Sequence, residues 1–268
     1  MFSPQVPHLS ASQVDNAADL LIDARLHRKA LGELPSECRP ANLIDAQNIV
    51  DEVHRRLSHP VKGWKLYFPY KPMQRPLVSP IYDIVESDAV LDSGTPLRRI
   101  EPEIVFRALV DLPYRAKPYS YDEARAALVA APSFEVLRSS YLAEPLASRH
   151  KGGIGRDYKM EIFADHNSND CYVVGEACEG WKDIDFSALP VSMFEDDRVV
   201  GASVGGHPIL DSFLATFAGM NFLRLRGGLT AGQYLATSSE TSFFDVAAGT
   251  VITGKFGPLG SIRASFGA

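Results

Sequence analysis

A change in sequence pattern near Val61 constrains the fold of this chain more than any other feature. The residues before it predict helices, whereas from Val61 onward short apolar segments are interrupted by glycine and proline. Such segments are typical of strands, and few of them alternate with helical stretches. A doubly wound parallel sheet is therefore disfavoured, and the pattern predicts a β-rich α+β fold with helices at the N-terminus.

The N-terminal region predicts two helices. Ser10 and Ser12 are candidate N-caps of the first, and a connection over residues 31–40 separates it from the second. Apolar residues of the second helix recur at alternating spacings of three and four, which predicts a face packed on a core: Leu43, Ala46, Val50, Val53 and Leu57. We expect an N-terminal helical segment, residues 1–60, and a β-rich catalytic domain, residues 61–268.

Further elements follow from the same patterns in the β-rich region. Apolar, β-branched and aromatic segments predict strands over Arg99–Leu109, Cys171–Val174, Val191–Phe194, Val251–Phe256 and Ser261–Phe266. Helices are predicted over the alanine-rich Tyr121–Ala131 and over Ile209–Leu223, which precedes a Gly-Gly stop.

Charge and composition exclude several classes of protein. The net charge of −6 argues against a general nucleic-acid binder, which needs a basic face. The N-terminus lacks the basic and apolar regions of a signal peptide, and no apolar run reaches the about 20 residues that cross a bilayer. Three cysteines without a CxxC pair are typical of a reducing compartment. We therefore expect a soluble, cytoplasmic protein whose partners include neither nucleic acid nor membrane.

The strongest chemical signal is the segment Ile100–Phe106, which contains Glu101 and Glu103 around a proline. Residues i and i+2 of a strand project from one face, so these two carboxylates lie close together. They repel unless they face solvent, share a proton or bind a cation. Pro102 cannot donate to a sheet ladder, which suggests an edge strand or a strand end. Two surface glutamates on an edge strand remain the alternative interpretation.

Glu135 is a third carboxylate in a strand-like apolar segment, Ala131–Leu137. An unpaired charge in such a setting costs several kcal/mol, so Glu135 is either a metal ligand or an ion-pair partner. Three carboxylates with oxygen donors alone suit Mg²⁺ or Mn²⁺ better than zinc.

Lys65 is the candidate base or substrate-binding cation. It follows a glycine and a tryptophan and leads into an aromatic run, which predicts partial burial and a lowered pKa. A surface lysine that extends its ammonium into solvent is the alternative. By themselves, residues 164–170 read as a polar turn and His207 as a structural histidine.

Together these segments resemble the fumarylacetoacetate hydrolase superfamily, and within it the branch of 2-keto-4-pentenoate hydratase and 4-oxalocrotonate decarboxylase. The likeness runs from about residue 17 to the C-terminus. Besides the N-terminal helices, its carriers are Gly63-Trp64-Lys65, Met73-Gln74, Pro80-Ile81-Tyr82-Asp83, Glu101-Pro102-Glu103, Phe134-Glu135, Ala164-Asp165 with Ser168, Gly206-His207-Pro208 and residues 256–261.

The resemblance implies a fold, a metal and a set of site residues. The fold is a β-rich mixed-sheet roll, usually homo-oligomeric, with Mg²⁺ or Mn²⁺ on three acidic residues that match Glu101, Glu103 and Glu135. Lys65 matches the active-site lysine, and Asp83 matches an acidic residue that lines the same pocket. Thr237 and Ser239 match a turn that contacts the substrate carboxylate, and Ser168, at the end of a further motif of the family, is a candidate substrate-binding residue.

The chain departs from the family pattern mainly around the substrate. Tyr67 and Tyr70 replace small residues after Lys65, which predicts a bulkier or more apolar substrate tail. Arg138, a candidate substrate-binding residue, stands in a changed segment after Glu135, and His166, a candidate catalytic residue, stands where an asparagine is usual.

These features predict a metal-dependent lyase that acts on a small 2-oxo acid through a stabilised enolate. Our first interpretation is a hydratase of a 2-hydroxydienoate, with Lys65 moving the proton and Asp83 or Glu135 placing the water. Two alternatives use the same enolate: decarboxylation of a vinylogous 2-oxo diacid, and hydrolytic C–C cleavage of a diketo acid with His166 or His207 as base. A non-catalytic binding protein on the same fold is a fourth.

Overall fold

The computed structural model describes residues 8–68, 76–91, 99–141, 156–209 and 211–267. The chain divides into two compact units. The helical unit comprises residues up to Pro60 and Arg138–Asn169, and the β unit comprises Val61–Leu137 and the residues from Asp170 onward. No helix among the described residues is long and apolar enough to cross a membrane.

The described residues of the helical unit form three α-helices: α1 (Ala11–His27), α2 (Leu43–Leu57) and α4 (Arg156–Ala164). Helix α1 begins at a capping box in which Ser10 and Gln13 satisfy each other's backbone N–H groups. Asn42 caps α2 by accepting from the N–H groups of Ile44 and Asp45. Both predicted helices are confirmed, and the turn predicted at 164–170 contains a short 3₁₀ segment, His166–Ser168.

The β unit is built on a mixed sheet in the order β2-β1-β12-β5-β7-β8-β3, with β13 also paired to β5. Its strands are β1 (Gly63–Tyr67), β2 (Leu77–Ile81), β3 (Asp83–Glu86), β5 (Arg99–Ala108), β7 (Leu128–Leu137), β8 (Asn169–Val174), β12 (Tyr234–Ser239) and β13 (Phe244–Asp245). The two ends of this order, β2 and β3, are separated in the chain by Tyr82 alone, so the sheet curls until its edges meet. The predicted α+β fold with a mixed-sheet roll is confirmed.

A second sheet has the order β10-β9-β14-β15-β4. Its strands are β4 (Ala89–Leu91), β9 (Pro190–Glu195), β10 (Arg198–Val204), β14 (Val251–Lys255) and β15 (Ser261–Phe266), while β6 (Leu112–Pro113) and β11 (Gly228–Leu229) form a short pair. Helices α3 (Tyr121–Ala127) and α5 (Ser212–Leu223) and 3₁₀ turns at Trp181–Asp183, Phe186–Ala188, Arg224–Arg226 and Gly257–Leu259 complete the unit.

Apolar residues of the β unit form a large core and a smaller cluster. The large core joins both sheets to α5, with Phe106, Phe134 and Phe213 fully buried in it. The smaller cluster comprises Ile81, Val105, Ala131, Tyr172, Val174 and Ala236, which pack together on one face of the curled sheet. We call this the inner face, because Lys65 and the three candidate ligands also project from it.

Two boundary predictions were wrong for physical reasons. The helix predicted over Tyr121–Ala131 ends at Ala127, because Leu128–Ala131 pair with β5 instead. The helix predicted from Ile209 begins at Ser212, where the side chain of Asp211 caps the first N–H groups. Strand pairing therefore ends the first of these helices, and side-chain capping sets the start of the second.

The edge strand suggested by Pro102 is also corrected, since β5 is paired on both sides. Pro102 lies between the residues that pair with β12 and those that pair with β13. The carbonyl of Pro102 accepts from the N–H of Glu240, on the side of β5 where β12 and β13 lie. The nitrogen of a strand residue points to the same side as its carbonyl, so the nitrogen of Pro102 faces the gap between β12 and β13. A proline is tolerated there because no ladder bond is lost.

Candidate metal centre

Register across β5 and β7 assembles the acidic cluster. Glu101 lies directly opposite Glu135, and Glu103 lies opposite Ser133. Directly opposed residues of antiparallel strands share a face, so all three carboxylates project from the inner face. One carboxylate oxygen from each of them lies within 4.8 Å of the other two. The geometry predicted for Glu101 and Glu103 is therefore present, and the tertiary structure adds Glu135.

Lys65 provides the neighbouring positive charge. It projects from β1, its side chain is buried, and its ammonium contacts Oε2 of Glu135. Burial by itself lowers the pKa of Lys65, but the carboxylates of Glu135, Glu103 and Glu101 outweigh it and raise the pKa above its ordinary value. The lowered pKa that the sequence suggested was wrong, since sequence alone did not place three carboxylates beside this lysine.

Glu103 is fully buried and only partly satisfied. The hydroxyl of Tyr172 donates to its Oε2 at 2.9 Å, while its Oε1 has no hydrogen-bond partner within the described part of the chain. Burial, followed by the charge of Glu135, raises the pKa of Glu103 well above its ordinary value. In the metal-free state a proton therefore relieves the repulsion among the carboxylates.

The charges and donors of this cluster fit a divalent cation. Three ionised carboxylates and one ammonium leave two negative charges in a buried place, and a divalent ion neutralises both. The donor set is oxygen only, which suits Mg²⁺ and Mn²⁺. The orphaned Oε1 of Glu103 gives the ion an open ligand position. Glu101, which is partly exposed, gives it a side that reaches solvent.

β12 borders the cluster on the other flank of β5. Its register shifts between Ala236 and Ser239, and Ser239 lies opposite Glu103. The hydroxyl of Ser239 donates to the carbonyl of Pro102 at 3.3 Å. Such bulges are common beside active sites, where they redirect side chains.

Thr237 lies in this bulge and is held by His207. Nε2 of His207 lies 3.1 Å from Oγ1 of Thr237, and Nδ1 accepts from the N–H of Ile209 at 3.3 Å. Burial lowers the pKa of His207 to about 4, so the ring is neutral at physiological pH. With Nδ1 accepting, the proton resides on Nε2 and is donated to Thr237.

The chain is similar over almost its whole length to known enzymes. It is 27% identical to 4-oxalocrotonate decarboxylase of Pseudomonas putida over 280 residues, 96% of this chain and 98% of that protein. The structure matches 4-oxalocrotonate decarboxylase from Pseudomonas putida G7 complexed with magnesium and adipate, with a TM-score of 0.76, 22% identity, and coverage of 97% of this chain and 100% of that one. The predicted resemblance is confirmed.

A more distant structural neighbour is also an enzyme in complex with a divalent cation. Fumarylpyruvate hydrolase from Pseudomonas aeruginosa, in complex with Mn²⁺ and pyruvate, matches with a TM-score of 0.52 and 14% identity over 78% of this chain and 91% of that one. No protein-family model matches the chain. The predicted class, a metal-dependent lyase, and the predicted divalent cofactor agree with the names of these relatives, a decarboxylase and complexes with magnesium and Mn²⁺.

Among the described residues predicted for the site, Asp83 is not brought to the acidic cluster. Asp83 is exposed, because its neighbour Ile84 packs with the inner-face residues and Asp83 therefore projects from the opposite face. Tyr67 ends β1 half-buried, and Tyr70 lies outside the described residues.

Three other predicted residues belong to the helical unit. Arg138 donates to the carbonyl of Arg25 at 3.3 Å and, through its N–H, to that of Ser168. His166 is buried, and burial, followed by the charges of Arg25 and His54, lowers its pKa well below the ordinary value. Their catalytic and substrate-binding roles stay predictions.

Sequence reasoning missed two residues beside the site. Tyr172 lay in a correctly predicted strand, but nothing local indicated that its hydroxyl would reach Glu103. Glu240 follows Ser239 and is fully buried, with Oε1 accepting from the Ser212 hydroxyl at 2.5 Å. Burial raises the pKa of Glu240 to about 7. A glutamate among serines and threonines was the available signal for Glu240.

A groove of about 980 Å³ lies elsewhere in the β unit. Lys62, Glu86 and Tyr234 are among its lining residues, and none of the three candidate ligands is. Tyr234 pairs with Arg107, near the opposite end of β5 from Glu101. We therefore take the acidic cluster, rather than this groove, as the candidate site.

Proposed function

We propose that this protein is a metal-dependent decarboxylase of a vinylogous 2-oxo diacid of the 4-oxalocrotonate type. The observation that carries the proposal is the buried cluster of Glu101, Glu103 and Glu135 with the ammonium of Lys65 against it. End-to-end similarity to 4-oxalocrotonate decarboxylase supports this substrate class over other 2-oxo acids.

The reaction needs an electron sink and a proton. Glu101, Glu103 and Glu135 would hold a Mg²⁺ or Mn²⁺ ion, which would supply Lewis-acid chemistry toward a 2-oxo carboxylate. The electron pair of the bond to the departing carboxylate moves through the conjugated double bond to the 2-oxo oxygen, and CO₂ leaves. Lys65 holds a proton beside Glu135 and delivers it to the resulting dienolate, which gives a 2-hydroxydienoate or its keto tautomer. Tyr172 holds Glu103 in position through its hydrogen bond to Oε2.

Decarboxylation is favoured over the two reactions that need an activated water. Asp83, one of the two residues expected to place water for hydration, is exposed. His207, one candidate base for C–C hydrolysis, has Nδ1 occupied by the N–H of Ile209 and Nε2 by Thr237. Decarboxylation requires neither group, since the electron sink and one proton are sufficient.

The deciding experiment offers the Mg²⁺-loaded protein a 2-oxohexenedioate and, separately, a 2-hydroxypentadienoate. We expect CO₂ release and formation of the dienoate from the first and slow or no loss of dienoate absorbance from the second. Rapid consumption of the dienoate without CO₂ release would establish the hydratase instead. Metal binding without turnover of either would indicate a non-catalytic binding protein.

We further propose that the protein is a homo-oligomer, as the resemblance implies. Sedimentation velocity of the full chain, with and without Mg²⁺, tests this. A single species of the monomer mass at the concentrations used in the assay would contradict it.

A further inference from the structure

Ser79 lies next to Lys65 on the inner face. It is in β2, which pairs with β1 in antiparallel register, and it lies directly opposite Lys65. Ile81, two residues along, packs in the inner-face cluster, so Ser79 projects from the same side of the sheet. No sequence motif singled out this serine.

The hydroxyl of Ser79 is buried and unsatisfied. The residue is 1% exposed, and its Oγ has no hydrogen-bond partner among the described residues. A buried hydroxyl without a partner destabilises the folded state relative to an alanine of nearly the same shape. Ser133 provides the contrast on the same face: it is equally buried, but its hydroxyl donates to the carbonyl of Glu103 at 2.9 Å.

The surroundings of Ser79 favour an anionic guest. Its neighbour Lys65 is a buried cation, and the only other orphaned oxygen described on this face, Oε1 of Glu103, is an acceptor suited to the metal. A hydroxyl that shares this face with a buried cation and has no partner of its own has its donor capacity free for an oxygen that carries negative charge. A 2-oxo acid supplies such oxygens in its carboxylate and, during reaction, in its enolate.

We propose that Ser79 binds the substrate by donating a hydrogen bond to an anionic oxygen of the metal-bound 2-oxo acid. This inference rests on the proposed function and adds a specificity-determining residue to it. Ser79 is not one of the three candidate metal ligands. Its replacement therefore separates binding of the acid from binding of the metal.

The test is calorimetry of wild type and Ser79→Ala, first with Mg²⁺ and then with oxalate as a 2-oxo acid mimic. We expect unchanged Mg²⁺ affinity and oxalate affinity about 10- to 100-fold weaker in Ser79→Ala. We also expect the metal-free Tm of this variant to rise by about 2–5 °C, since the orphaned hydroxyl is gone. Ser79→Thr, which keeps a hydroxyl, recovers part of the oxalate affinity.

Ser133→Ala is the matched control. Because its hydroxyl has a backbone partner, this variant loses thermal stability and keeps oxalate affinity, and its Mg²⁺ titration checks that Glu103 is undisturbed. Wild-type oxalate affinity in Ser79→Ala would overturn the inference and leave the proposed function standing. A wild-type protein that binds no Mg²⁺ would overturn the proposed function itself.

Discussion

The ammonium of Lys65 contacts the carboxylate of Glu135 across 70 positions of sequence, and both side chains are buried. Glu135 in turn lies opposite Glu101, with Glu103 two residues along the same strand. One cation therefore faces three carboxylates in the interior of the sheet. This imbalance of charge leads to the first two predictions.

Divalent metal should stabilise the fold through the three glutamates. At a metal concentration about 100 times Kd, binding adds about 2.7 kcal/mol to the free energy of unfolding, which corresponds to a rise in Tm of about 5–10 °C. Glu103→Gln should lose most of this increment, because it removes one ligand charge. Thermal melts with and without Mg²⁺ measure the effect.

Glu179→Gln, an exposed glutamate changed in the same way, is the control and should keep the full increment. An equal metal-induced rise in wild type and Glu103→Gln would show that the cation binds elsewhere.

Replacing Lys65 should separate metal binding from catalysis. Lys65→Met keeps the length of the side chain and removes the ammonium. We expect the metal-free protein to lose about 3–5 kcal/mol of stability, because Glu135 is left buried without its cation. Mg²⁺ should restore much of that loss, while the rate of decarboxylation falls by about 10²–10⁴-fold.

Lys62→Met changes an exposed lysine immediately before β1 and should alter neither the stability of the metal-free protein nor the rate of decarboxylation. Retention of full activity by Lys65→Met would remove Lys65 from the proton transfer.

The stability of the metal-free protein should depend on pH through Glu240. Burial raises the pKa of this carboxyl from 4.5 to about 7, so the folded state retains a proton that the unfolded state loses. Its contribution to stability is complete below pH 4.5 and is lost as the pH rises to about 7. The loss is about 3 kcal/mol.

Urea unfolding of wild type and Glu240→Gln at pH 4.5, 6 and 8 measures this contribution as a difference. The glutamine keeps an acceptor for the Ser212 hydroxyl, and comparison with wild type cancels the titration of Glu103. We expect the free energy of unfolding of Glu240→Gln, relative to that of wild type, to increase from pH 4.5 to pH 8. A constant difference across this range would contradict a buried, protonated Glu240.

His207 should remain a neutral Nε2–H tautomer well below the pH at which free histidine is charged. Since its folded pKa falls to about 4 from 6.5, its contribution to stability is complete above pH 6.5 and is lost as the pH falls toward 4. Nitrogen-15 NMR of the ring reports both the protonation state and the tautomer.

His207→Gln places an amide N–H near the position of Nε2 and should hold Thr237 better than His207→Ala does. A ring that is charged at pH 6, or a proton on Nδ1, would contradict the assigned hydrogen bonds.

Local pattern was sufficient for the two N-terminal helices. The apolar spacing of α2 and the cap at Ser10 act between residues a few positions apart, so the sequence shows the whole interaction. The helix predicted over Tyr121–Ala131 failed where the interaction was not local. Leu128, Ala130 and Ala131 are good helix formers, but their segment pairs with β5, and no neighbouring residue indicates this pairing.

The site divides in the same way. The sequence by itself determined that Glu101 and Glu103 share a face, because strand alternation depends only on the backbone. Only the tertiary structure decided that Glu135 lies opposite Glu101, that Lys65 is held protonated by three carboxylates, and that Ser79 rather than Asp83 projects from the inner face. These relationships depend on strand register and on the curl of the sheet. Both bring together residues that are far apart in sequence, and the local sequence around each residue does not indicate these contacts.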